Sequence, residues 1–192
     1  MSRETTETPR ATAERTRTRG PTPDVRFRKP SLRDGAAVWE LALASRVLDP
    51  NSPYAYLMWC DHFSDASVVA EVDGAPAGFV CGLRPPRAPD VLFVWQVAVS
   101  DEHRGAGIAG RMLDELIERE GDVRYVEATV TPSNEPSSRL FRALARRRGV
   151  ACEESPYLTA DDFPAGATHE PEHRFRIGPL PADRTRSPED DR

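Results

Sequence analysis

The stretch Leu92-Phe-Val-Trp-Gln-Val-Ala-Val99, followed by Ser100-Asp-Glu-His-Arg-Gly-Ala-Gly-Ile-Ala-Gly110, limits the possible folds more than any other part of the chain. The long apolar run, rich in valine, reads as a buried strand, and the glycines after it open a helix. At that helix start the backbone N–H groups of Arg104 to Ala109 have no intrahelical partners, and the helix dipole favours an anion beside them. Gly105 and Gly107 lack the side chains that would hold phosphate oxygens away. One such contact is worth about 0.3–1 kcal/mol when exposed and up to about 2 kcal/mol when partly buried, so affinity needs several donors and a charge. Arg104 supplies the charge.

With 192 residues, 39% of them hydrophobic and 30% charged, the chain is long enough for one domain with a proper core and too short for two large ones. Residues 1–24 and 181–192 are dominated by Thr, Arg, Glu, Asp and Pro. Neither end buries enough apolar surface to offset the entropy of ordering, so both read as disordered tails around a domain at residues 25–180. No apolar run approaches the ~18 residues of a membrane span, and the N-terminus has no signal-peptide core. Glu4, Glu7 and Glu14 argue against a transit peptide, so the cytoplasm is the expected compartment and no membrane partner is expected. Cys60, Cys81 and Cys152 stand at wide, unrelated spacings, which exclude a paired disulfide framework and a zinc knuckle. They read as reduced residues in or near the core, and no metal is expected. A net charge of −5 gives no reason to expect nucleic acid as a partner.

Val25 to Arg28 reads as a first strand. Ser31 and Asp34 form a capping signal for a helix with Leu32, Ala36, Val38, Leu41 and Val47 or Leu48 near helical spacing. Residues 49–53 end it, and Ser52 with Pro53 fits the cap and first position of a second helix through Tyr54, Leu57, Met58 and Asp61. Ser67 to Val72 and Ala77 to Leu83 read as antiparallel strands joined at Asp73-Gly74, the strongest hairpin signal in the chain. Pro85 to Pro89 is a loop before the strand Val91 to Val99. A helix from Gly107 to Glu118 sets Ile108, Met112, Leu113, Leu116 and Ile117 on one face, and Val123 to Val130 is the next strand. Beyond residues 131–136 a helix runs through Leu140, Phe141 and Leu144 to Arg148, with Gly149 as its stop. Val150 to Glu154 and Arg174 to Ile177 are shorter strand candidates. The order βααβββαβαβ, with helices crossing between the later strands, describes a mixed α/β sheet. Arg142, Arg146, Arg147 and Arg148 read as a solvated helix end, in a chain whose only lysine is Lys29.

Residues 105–110 match G-x-G-x-x-G, the dinucleotide fingerprint. That fingerprint belongs to the first βα turn of a doubly wound sheet, whereas roughly eighty residues and a hairpin precede this one. Glu127 lies about twenty residues on, as a ribose-binding acid would, but inside a strand and not at its end. No G-K-[ST] follows, which excludes a P-loop.

Arg104-Gly-Ala-Gly-Ile-Ala109 after a strand resembles the acetyl-CoA loop, Q/R-x-x-G-x-G/A, of the GNAT N-acetyltransferases. Asn134-x-x-Ser137-x-x-Leu140-Phe141 resembles their second cofactor motif. Residues 47–56, 93–99 and 127–134 further resemble one branch, the L-2,4-diaminobutyrate N-acetyltransferases of ectoine biosynthesis, and the likeness covers residues 25–178. It implies the GNAT (acyl-CoA N-acyltransferase) fold, a mixed central sheet splayed between two parallel strands with helices on both faces. It implies acetyl-CoA as co-substrate, its pantetheine arm along Val97 and Val99. The pyrophosphate would rest on Arg104, Gly105, Gly107 and Ala109, with Asn134 and Phe141 on the second side. Many GNAT enzymes place a tyrosine at the Phe141 position to protonate the departing thiolate. Phenylalanine cannot, which leaves water or the proton of the attacking ammonium. The likeness also implies transfer to the 4-amino group of L-2,4-diaminobutyrate, a role in osmotic stress, and a homodimer.

Such an acceptor, a dication with one carboxylate, calls for acids, a hydrogen-bond donor and an apolar wall. Asp49, Asn51, Tyr54, Trp95, Glu127 and His169 supply those chemical types, with His173 as the competing histidine. Each has an ordinary reading too: Asp49 ends a helix, Trp95 sits in a core, His169 faces water. Glu127 is the expected general base, directly or through a water, with Asp49 as its acidic companion. Their roles are interchangeable at this level. The rival readings are a GNAT acting on another small amine or a protein N-terminus, and a nucleotide-binding module without catalysis.

Overall fold

A computed structural model describes residues 24–164, 166 and 169–181, so the expected tails lie almost wholly outside the described residues. Seven strands form one sheet in the order β1-β2-β3-β4-β5-β7-β6. They are β1 Val25–Arg28, β2 Val68–Val72, β3 Ala75–Leu83, β4 Val91–Val99, β5 Tyr125–Val130, β6 Ala151–Leu158 and β7 Glu172–Gly178. The helices are α1 Gly35–Ser45, α2 Pro53–His62, α3 Ile108–Glu120 and α4 Glu135–Arg148. The mixed sheet is the one expected, with both short strand candidates realised as the antiparallel pair β6 and β7.

Local chemistry sets the element ends. Asp73 and Gly74 both take positive φ, the geometry that lets a two-residue turn follow the twist of its strands. The Ser52 side chain accepts from the Ala55 N–H with Pro53 in the first turn of α2, and Gly149 closes α4 in the left-handed region. α1 departs from expectation. Arg46 turns left-handed and stops the helix at Ser45, which leaves Val47 exposed; Leu32, in the short turn before α1, is exposed too, and the buried stripe is Gly35, Val38, Ala42 and Ser45.

Two cores flank the sheet. Leu92, Val94, Val126 and Phe175 pack against Met112 and Leu116 of α3 and Leu144 of α4. On the other face Val69 and Phe79 meet Val38 of α1 and Tyr56 of α2. Each such side chain contributes about 1.5–3 kcal/mol when fully buried. Cys60 and Cys81 lie in the second core, where burial pushes the Cys60 thiol up to about 11 and that of Cys81 well above the ordinary range. Neither is a nucleophile at neutral pH.

An ion-pair network ties β1 to the start of α1. Arg28 donates to both carboxylate oxygens of buried Asp34 at 2.7 and 2.8 Å and to Glu71 at 2.7 Å. The Ser31 N–H and hydroxyl donate to Asp34 as well. The Arg28 guanidinium, then these Ser31 donors, hold the Asp34 carboxyl below its ordinary range against the opposing effect of burial. A carboxylate favoured in the folded chain stabilises fully above its unfolded pKa of about 3.9, and that stability is lost as the pH falls below it. Asp34→Asn is therefore expected to cost about 1.5–3 kcal/mol near neutrality. The gap to the native chain should narrow on acidification below about pH 4, as thermal melts between about pH 7 and about pH 3 would show.

One irregularity positions the site. Cys81 pairs with Gln96 and Gly82 with Val94, so Trp95 is an extra residue in β4. A bulge of this kind flips the side-chain alternation of its strand. Leu92 and Val94 before it, and Val97 and Val99 after it, all pack towards the α3 core, while Trp95 and Gln96 both turn towards α2. The parallel pairing of β4 with β5 runs from Val91↔Tyr125 to Val94↔Ala128 and stops at the bulge. Beyond it the two strands part.

Candidate active site

The parting of β4 and β5 leaves a groove of about 830 Å³. Val97 and Val99 form its floor, the loop from Arg104 to Ala109 one end, and α4 a wall. Gly105 and Gly107 have φ of 79° and 76°, a region that glycine enters without strain. Gly107 caps α3 without a side chain, so the first-turn N–H groups face the groove free to hold an anion. Arg104 pairs with Asp101 at 2.9 Å and donates to the carbonyls of Val99 and Ser45 at 3.3 Å. It shapes the loop as well as charging it.

Asn134 lines the groove while its side-chain oxygen accepts from the Ser137 N–H and caps α4. Phe141, expected beside the cofactor, turns the other way. It is buried against Phe175, ring centroids 6.0 Å apart, and the groove wall is made by Leu140 and Ala143. Helical phase explains this, because Phe141 shares its stripe with buried Leu144 and Ala145.

A second cavity of about 340 Å³ opens between residues 46–49, the loop from Thr131 to Pro136, and His169 with Glu170. Val47, Asn134 and Pro136 line both spaces, so groove and cavity adjoin. In the cavity His169 Nε2 stands 3.2 Å from Asp49 and 3.7 Å from Glu172, with its ring stacked on Phe163 at 3.9 Å. The Nδ1 of His169 contacts the Glu170 carbonyl at 2.6 Å, which makes it the donor. That hydrogen bond, and then the carboxylates of Asp49 and Glu172, raise the His169 pKa above its ordinary value.

The segment carrying Asp49 is bolted to β4. Gln96 donates to the Asp49 carbonyl at 3.1 Å, and the buried Tyr56 hydroxyl donates to Gln96 at 2.8 Å and accepts from the Asn51 N–H at 3.4 Å. Sequence reasoning does not single out Tyr56 and Gln96, although a lone amide in an otherwise apolar strand is a signal. Trp95 stacks on Trp59 with centroids 4.0 Å apart, and Tyr56 lies 6.0 Å away, which makes an aromatic wall. Glu127 pairs with Phe93 across β4 and with Arg176 across β7, and its carboxylate is ion-paired to Arg176. The Arg176 guanidinium in turn lies 3.7 Å over the Tyr125 ring. Neither Trp95 nor Glu127 lines the two spaces, and Tyr54 is exposed on α2 outside them. His169 lines the cavity, whereas His173 sits in β7 opposite Val130.

An anion cradle at a helix start, joined through a strand splay to an acid-lined cavity, accompanies a match of residues 36–145 to the acetyltransferase (GNAT) family. The chain belongs to the acetyltransferase (GNAT) family. It is 50% identical over 154 residues to the L-2,4-diaminobutyric acid acetyltransferase of Halalkalibacterium halodurans, covering 79% of this chain and 80% of that protein. Its identity to the enzyme of the same name from Streptomyces coelicolor is 44% over 163 residues, covering 83% and 95%. Among solved GNAT structures, the diaminobutyrate acetyltransferase EctA from Paenibacillus lautus, in complex with its substrate L-2,4-diaminobutyric acid and coenzyme A, matches with a TM-score of 0.79. That match is 44% identical and covers 84% of this chain and 98% of that one. Ard1 from Thermoplasma volcanium, at 18% identity and a TM-score of 0.64, shares the GNAT fold.

Proposed function

We propose that this GNAT enzyme transfers the acetyl group of acetyl-CoA to the 4-amino group of L-2,4-diaminobutyrate. The observation that carries the reading is the groove with an acid-lined cavity adjoining it, in a chain 44% identical to an enzyme solved with that substrate and coenzyme A. The pyrophosphate rests on the N–H groups of Arg104 to Ala109, and the pantetheine arm runs along Val97 and Val99. The thioester arrives near Val47, Asn134 and Pro136, where the acceptor cavity opens. Asp49 takes one ammonium of the acceptor, with His169 beside it in the cavity; Asn51, Tyr54 and Trp95 stand outside the lining of that cavity.

An amine with a pKa of about 10.4 is neutral in about one molecule per thousand near pH 7.5, a cost of about 4 kcal/mol unless a base assists. Glu127, ion-paired to Arg176 and outside the lining of the two spaces, is the proposed base and takes the proton through a water. The neutral amine attacks the thioester carbon directly, forming the N–C bond and an oxyanion that a strand N–H near Val97 stabilises. Collapse breaks the C–S bond. With Phe141 buried and no tyrosine in its place, the CoA thiolate takes its proton from water or from the acceptor nitrogen. We also propose that the product serves ectoine synthesis under osmotic stress in the cytoplasm, and that the enzyme is a homodimer. Among the described residues no helix is long and apolar enough to cross a membrane.

Thiol release from acetyl-CoA, measured with a panel of amines, tests the reading. Ornithine carries one more methylene, a difference worth about 10–200-fold in a shaped pocket. L-2,4-diaminobutyrate should exceed ornithine, lysine and spermidine in kcat/KM. Equal rates across the panel would contradict the assigned acceptor.

A further inference from the structure

The groove holds more positive charge than a pyrophosphate needs. Arg104, Arg111, Arg139 and Arg147 line it, against the single carboxylate of Asp114. The first two belong to the glycine loop and the first turn of α3, and the other two project from α4. Along α4, Pro136, Arg139, Leu140, Ala143 and Arg147 form one stripe facing the groove. Arg139 and Arg147 are about 12 Å apart along the axis, with the apolar step of Leu140 and Ala143 between them.

The charge is available. Asp114 serves two guanidiniums, Arg147 at 3.1 Å and Arg148 at 2.8 Å, and among the described residues Arg139 pairs only with exposed Glu135 one turn back. Arg147 also donates to the Gly110 carbonyl at 3.3 Å, and its Nη1 has no hydrogen-bond partner among the described residues. A Cβ on Gly110 would stand 3.2–3.4 Å from that guanidinium, so the third glycine of the motif is a seat for Arg147 beside the phosphate cradle.

We propose that Arg139 and Arg147 hold the 3′-phosphate of the co-substrate, with Leu140 and Ala143 beneath its adenine, so that the enzyme selects acetyl-CoA over acetyl-dephospho-CoA. This rests on the acetyl-CoA reading above. A phosphate monoester carries close to two negative charges at neutral pH, and arginine forks match its oxygens. Holding it between two guanidiniums anchors the far end of the co-substrate and leaves the cradle to the pyrophosphate.

The test compares kcat/KM for acetyl-CoA and acetyl-dephospho-CoA, which lacks only that phosphate, at saturating L-2,4-diaminobutyrate. The native enzyme should prefer acetyl-CoA by about tenfold or more, with the preference shrinking as salt rises. In the Arg139→Gln, Arg147→Gln double variant the preference should fall to within about twofold. Loosening of α3 against α4 would slow both co-substrates alike and leave the ratio intact, so the ratio separates recognition from structure. Arg139→Gln alone, at an exposed position, keeps the test open if the double variant does not fold, and should lower the ratio at least about threefold. A native enzyme without preference, or an unchanged ratio in the variants, overturns the proposal. Absence of thiol release from either co-substrate strikes the acetyl-CoA reading itself and this proposal with it.

Discussion

Replacing Glu127 by glutamine should lower kcat by about 10²–10⁴-fold near neutral pH, the usual contribution of a positioned general base. The variant keeps the size of the side chain and a hydrogen bond to Arg176, so the loss reports the missing negative charge. The shape of the pH profile separates the two roles open to this carboxylate. If Glu127 takes the proton, the deficit shrinks as the pH rises towards the amine's own pKa of about 10.4, where neutral acceptor is abundant without help. If Glu127 only binds an ammonium group, the loss falls on the acceptor KM and the kcat profiles stay parallel. A kcat within about threefold of native at neutral pH would remove Glu127 from the base role.

The other large effect is expected at the cradle. Gly107→Val should raise the KM for acetyl-CoA by about a hundredfold, because two causes act together. The left-handed conformation costs a residue bearing a Cβ about 1–2 kcal/mol, and the branched side chain stands where the phosphate must meet the first-turn N–H groups. Gly74→Ala controls for the first cause. Gly74 has a φ of 80° in the turn between β2 and β3, and a Cβ there would point into open space, so the substitution carries backbone strain without touching the groove. It should lower the melting temperature and leave the acetyl-CoA KM unchanged. Equal KM values for the Gly107 variant and the native enzyme, read from steady-state kinetics, would place the phosphate elsewhere.

Much of the frame was legible because local chemistry dictates it. Asp73-Gly74, Ser52-Pro53, Gly149 and the run from Val91 to Val99 each specify their structure from a few residues. The bulge at Trp95 was not legible, since an apolar strand buried on both faces has no alternation for a bulge to break. With it went the facts that Trp95 and Gln96 share a face and that β4 and β5 part at that point. The meeting of Asp49 with His169, and of Glu127 with Arg176, depends on long-range pairing that no local pattern reports. The orientation of Phe141 was available in its spacing to Leu144 and Ala145, but the likeness to a cofactor motif outweighed helical phase. The arginines at the end of α4 read as solvated, whereas Arg142 grips Glu154 and both Arg147 and Arg148 bind Asp114, pinning the helix to β6 and α3.

The most direct measurement is NMR of the product formed when the purified enzyme is given acetyl-CoA and L-2,4-diaminobutyrate, with released thiol counted in parallel. The account predicts an acetyl group on N4 alone and one thiol released for each acetyl transferred. An acetyl group on N2, or thiol release without acetylated diaminobutyrate, would contradict it.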